Sequence, residues 1–81
     1  MIIYGTHRCP DCENAERILK AKGITYDYVN IFGSTRGMKE FLKLRDHRAE
    51  FEPIKEAGSI GVPCFYLPEE DRIEFDVKNV M

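Results

Sequence analysis

Apolar positions along the chain change period several times, and each change marks an element. Ile2-Ile3-Tyr4 is a short apolar, β-prone run closed by Gly5-Thr6, which predicts a buried strand. From Cys9 the spacing becomes helical. Cys12, Ala15, Ile18, Leu19 and Lys22 fall on one face, Lys22 through its aliphatic stem. Pro10 suits the first turn, where its missing N–H costs nothing, and Gly23 suits the stop. Ile24, Tyr26 and Tyr28 then alternate with Thr25 and Asp27, giving a second strand that runs to about Ile31. Ser34 or Thr35 can cap a second helix whose face is Met38, Phe41, Leu42 and Arg45. Pro53 and Gly58 bracket a short third helix, about Phe51 to Ala57. "VPCFYL" (62–67) reads as a third strand, Pro68-Glu69-Glu70-Asp71 as a turn, and Arg72 to Phe75 as a fourth strand. The tail, Asp76 to Met81, adds at most a fragment of helix.

The order β-α-β-α-α-β-β defines an α/β chain. Two strands around an amphipathic helix form a parallel βαβ unit, and the last two strands form an antiparallel hairpin. The expected sheet is mixed and four-stranded, flanked by helices.

Composition narrows the function classes. At 81 residues, one domain spanning 1–81 is the expectation. The chain is 43% hydrophobic and 32% charged, with a net charge of -2, an ordinary soluble profile. No Lys/Arg cluster is dense enough to mark a nucleic-acid surface. No apolar run approaches the ~18 residues of a membrane helix, and no signal peptide is seen, so a cytoplasmic location is expected. Arg45-Asp46-His47-Arg48 reads as a solvated helix end, or else as a docking patch.

The cysteines change the picture most. There are three, an odd and low count that does not suit a disulfide-stapled secreted domain. Cys9 and Cys12, in "HRCPDC", stand at a strand-to-helix turn. A helix N-terminus offers unpaired N–H groups and partial positive charge, both of which favour a thiolate. Cys9 is therefore the expected attacker in disulfide exchange. Cys12, nearly a turn later on the core-facing side, can attack the resulting mixed disulfide and resolve it. Arg8 adds a cation beside Cys9, whereas Asp11 opposes it or simply complements the helix dipole. A zinc set of Cys9, Cys12, Cys64 and His7 is the competing reading, weakened because only one Cys-x-x-Cys pair is present. Cys64 is either a third thiol near this pair or a small buried strand residue.

Taken together, an N-terminal strand, Cys9-Pro10-Asp11-Cys12 at a helix start and "GVPCFYL" before a late strand resemble the glutaredoxins, within the thioredoxin fold. The resemblance covers essentially the whole chain. It implies a cis Pro63 beside the active cysteines, with the Val62 backbone offering hydrogen bonds to a bound thiol peptide. It also implies Asp76 as the acidic position that binds the γ-glutamyl end of glutathione. The chain departs from the pattern too. Glu74 and Phe75 stand where that family carries Gly-Gly, and Thr6 replaces its usual lysine, leaving Arg8 or Lys55 to meet a glutathione carboxylate. The family's C-terminal helix is cut short, and 45–58 is longer than the usual connection.

The resemblance implies a thiol–disulfide oxidoreductase that reduces protein or glutathione mixed disulfides. No tightly bound cofactor is needed, and glutathione can serve as reductant. One alternative is a redoxin recycled by a thioredoxin-reductase-like flavoprotein. Another is a metal or iron–sulfur module using Cys9, Cys12 and Cys64, which the family's pattern disfavours when proline follows the first cysteine. The expected partners are disulfide-containing proteins and a reductase, with neither nucleic acid nor membrane, and the chain is expected to act as a monomer.

Overall fold

In the computed structural model, which describes residues 1–81, the chain runs β1 (Ile2–Gly5), α1 (Pro10–Ala21), β2 (Asp27–Asn30), α2 (Thr35–His47), α3 (Glu52–Glu56), β3 (Cys64–Leu67) and β4 (Arg72–Glu74). Short 3-10 turns lie at Ala49–Phe51, just before α3, and at Val77–Asn79. The sheet order is β2-β1-β3-β4. β1 pairs parallel to β2 and antiparallel to β3, and β3 pairs antiparallel to β4. This is the mixed four-stranded α/β sheet of the thioredoxin fold.

Alternation along the central strands separates two cores. Ile3 and Phe65 meet α1 through Ala15 and Leu19. Tyr4 and Cys64 point the other way, into a cluster with Ile31, Phe41, Phe51 and Ile73. Aromatic edges organise that second layer. Phe51 meets Phe41 at 5.8 Å and Phe75 at 4.9 Å between ring centroids, both close to perpendicular.

Several boundaries differ from the sequence expectation for physical reasons. β2 begins only at Asp27, because its partner β1 begins at Ile2, so Ile24 and Tyr26 pack without a ladder. β3 begins at Cys64 rather than Val62, since Pro63 has no N–H to give to a ladder. Leu42 does not join the buried face of α2 and is instead exposed. Gly37 and Phe41 are the buried residues of that helix, with Met38 and Leu44 packed beside them. The helix is rotated so that its glycine meets the sheet. A Cβ on Gly37 would lie 3.0 Å from the Asn30 carbonyl oxygen and 3.1 Å from Val29 Cγ1. No helix is long and apolar enough to cross a membrane.

Candidate active site

The site grows out of the turn between β1 and α1. Cys9 is the N-cap of α1, with extended backbone, and Pro10 opens the helix. The Cys9 N–H donates to the Thr6 carbonyl at 3.2 Å, and the Glu13 N–H donates to the Cys9 carbonyl at 3.2 Å. Thr6 is itself buried, and its hydroxyl accepts from the Arg8 N–H at 3.2 Å. The turn is thus closed by the backbone, with no side chain capping the helix. That leaves the first turn of α1 without a side-chain cap, beside Cys9.

Cys9 is half-buried, and its thiol points at the Val62 carbonyl oxygen, 3.9 Å away. The Val62–Pro63 peptide is cis. Gly61, just before it, has φ +98, and a Cβ there would sit 2.7 Å from the Phe51 ring. Only glycine lets the chain make this turn against the aromatic layer. Val62 and Pro63 are thereby held across from α1.

Cys12 is fully buried one turn below Cys9. Burial pushes its thiol up to about 12, helped by the nearby Cys9 and Asp11, while the Thr6 backbone, hydrogen-bonded to the sulfur, works the other way. All three cysteines are free thiols.

Cys64 does not join them. In register opposite Tyr4, it faces the α2 and α3 layer, whereas Cys12 lies on α1 across the sheet. Of the two readings of Cys64, the small buried strand residue is the one found, and the third thiol near the pair is corrected: strand alternation turns the side chain to the far face despite its adjacency to Pro63. The metal set of Cys9, Cys12, Cys64 and His7 is corrected with it. No group of three His, Cys, Asp or Glu side chains is placed to hold a metal. His7 instead stacks on Tyr28, with ring centroids 5.3 Å apart.

Beside Val62 opens a groove of about 380 Å³. Asp11 and Asn14 of α1 form one wall, and Val62, Pro63, Phe75 and Asp76 form the other. Asp76 also accepts from the Lys78 N–H at 2.9 Å and so caps the last 3-10 turn. Arg8 does not line this groove. It is exposed, with its guanidinium 5.9 Å from the Phe32 ring centroid. Lys55 is also absent from the lining and pairs with Glu52 at 3.3 Å. The two basic residues that the sequence offered to a glutathione carboxylate are thus both placed elsewhere. Asn14 was not singled out from sequence, though its spacing from Asp11 on a helix could have suggested it.

A cysteine at a helix N-cap position with a buried partner thiol one turn on, opposed by a cis-proline loop, is the arrangement of a thiol–disulfide redox protein. The chain belongs to the glutaredoxin family, whose model matches residues 1–72. It is also similar to a Haemophilus influenzae protein described only as uncharacterized. The two are 37% identical over 70 residues, which span 86% of this chain and 81% of that one. No solved structure gives a significant match.

Proposed function

We propose that the protein reduces disulfides through a dithiol cycle in which Cys9 is the nucleophile and Cys12 the resolving thiol. The observation that carries this is their unequal placement. Cys9 is half-exposed at the helix N-terminus, and Cys12 is buried beneath it. The Cys9 thiolate attacks a substrate disulfide, forming a mixed disulfide and releasing one thiolate. Cys12 then loses its proton and attacks the Cys9 sulfur, so the second substrate thiolate leaves and a Cys9–Cys12 disulfide remains. Two electrons from an external thiol or a reductase restore the dithiol. The Val62 carbonyl and Pro63, with Asp76 in the same groove, flank the path of a bound thiol peptide. Such a cycle suits a compartment that keeps thiols reduced, such as the cytoplasm.

A second reading concerns the reductant. The groove is lined by the acidic residues Asp11 and Asp76 and by no Lys or Arg, with Phe75 also in its lining. Glutathione carries two carboxylates, so this lining favours recycling by a thioredoxin-reductase-like flavoprotein. Glutathione-coupled reduction of a glutathione mixed disulfide tests both readings. Cys9→Ser is expected to abolish exchange, and Cys12→Ser to accumulate a mixed disulfide visible by mass. Full activity in Cys9→Ser would overturn the assignment. Turnover with a flavoprotein reductase but not with glutathione would select the second reductant.

A further inference from the structure

Tyr28 lies on β2, beside β1, and its hydroxyl is buried with no hydrogen-bond partner. A buried hydroxyl left unpaired is costly, so each such group calls for an explanation. The potential partners around it are already engaged. Glu16 accepts from the Tyr26 hydroxyl at 2.8 Å and faces His7 Nδ1 at 3.6 Å. The thiols of Cys12 and Cys9 remain, and Cys12 acts on the hydroxyl more strongly. A Cβ on Gly5 would lie 2.8 Å from the Tyr28 hydroxyl oxygen and 3.0 Å from the Cys12 sulfur. Both atoms therefore border the same point beside Gly5, where even a single methyl group would crowd them, and only glycine leaves the hydroxyl and the sulfur this approach.

We propose that the Tyr28 hydroxyl donates a hydrogen bond to the Cys12 sulfur whenever that sulfur carries negative charge. This rests on the reading of Cys12 as the resolving thiol. The neutral thiol needs no such donor, which is why the hydroxyl stands idle in the dithiol state. In closure, Cys12 gives its proton to solvent and attacks the Cys9 sulfur. The new S–S bond forms, the bond from Cys9 to the substrate sulfur breaks, and the substrate leaves as a thiolate. In reductive opening, Cys12 is the leaving thiolate. Tyr28 keeps its own proton throughout. Burial first, then the charges of Cys12, Glu16, Cys9 and Tyr26, push its phenol above the ordinary range, and His7 covers the ring face. The donor is thus available across the neutral range. It adds to the Thr6 backbone hydrogen bond, against the burial that holds Cys12 in its neutral form.

The two steps separate in a stopped-flow reaction of the reduced protein with dithiodipyridine. The first pyridinethione is released in a bimolecular phase by Cys9, the second in a concentration-independent phase by Cys12. Tyr28→Phe, which keeps the ring, is expected to slow the second phase by about tenfold across the neutral pH range and leave the first unchanged. Gly5→Ala, which puts a methyl against both atoms, is expected to slow the same phase. An unchanged second phase in Tyr28→Phe would overturn the proposal, as would equal slowing of both phases, the mark of a general structural disturbance. A wild-type protein with no second phase would remove the Cys12 assignment and this proposal together. Normal closure in Tyr28→Phe would remove the proposal alone.

Discussion

Cys12 and Cys64 are both buried thiols, and only their neighbours separate their chemistry. Cys64 packs among Tyr4, Phe41 and Phe51, and burial pushes its thiol up to about 12. In the folded protein it therefore keeps its proton at pH values where the unfolded chain has released it. The unfolded state then binds fewer protons, so stability falls as pH rises from about 9 toward about 12. Cys12 contributes with the same sign. Cys64→Ala should cost about 1 kcal/mol at neutral pH, through the lost packing of one small side chain. It should also flatten part of the alkaline loss. Denaturant unfolding at neutral pH and near pH 10 checks this, and an unchanged alkaline slope would show that Cys64 does not drive it. Residue by residue, the placement of Cys9 at the start of α1, of Cys12 one turn on and of Pro63 after a cis bond was legible, because it depends on local spacing and on a motif. It could not assign Cys64 to a face, since one step of register decides that. Nor could it show that the Tyr28 hydroxyl lacks a partner, which depends on how Glu16 is already used.

At the scale of elements, α2 shows local and tertiary demands pulling apart. Its start was readable: Ser34 caps the helix by accepting from the Gly37 N–H at 3.0 Å. Ser34→Ala should lower stability by about 1 kcal/mol. Gly37 is the more discriminating position. In an exposed helix interior, Gly→Ala would stabilise by about 1 kcal/mol. Here the added methyl meets backbone at 3.0 Å, and a carbonyl in the β2 chain cannot move aside cheaply. Gly37→Ala should therefore destabilise, reversing the propensity effect. Denaturant midpoints measured for both variants with an unchanged slope would test the pair. A more stable Gly37→Ala would mean that α2 can lift off the sheet without loss. The rotation of α2 about its axis, and with it the exposure of Leu42, was hidden in the sequence. Apolar periodicity does not reveal a helix face built around a glycine.

At the scale of the molecule, Arg48 links the end of α2 to the β3–β4 turn. Its guanidinium donates to Glu50 at 2.9 Å, to Asp71 Oδ1 at 2.8 Å and to the Asp71 carbonyl at 2.9 Å. Asp71 adopts a positive φ of 48 and also accepts from the Tyr66 hydroxyl at 2.9 Å. The sequence showed a charged helix end at 45–48, and its partner in a distant hairpin turn could not be inferred from it. An exposed ion pair contributes little by itself, but a fork that also holds a backbone carbonyl fixes geometry. Arg48 holds the Glu50 and Asp71 carboxyls below their usual range. Depressed carboxyl values stabilise the fold above the unfolded range, about pH 4 to 4.5, and this contribution fades as pH falls through the folded values. Arg48→Ala should accordingly lower the Tm clearly at neutral pH and less in acid below the folded carboxyl values, where the wild type has lost the ion pairs too. An equal loss at the two pH values would show that Arg48 acts through packing of its stem. A loss confined to neutral pH would mean that charge ties the helical layer to the hairpin, and the hairpin carries the Cys64 strand that follows the Val62–Pro63 loop facing Cys9.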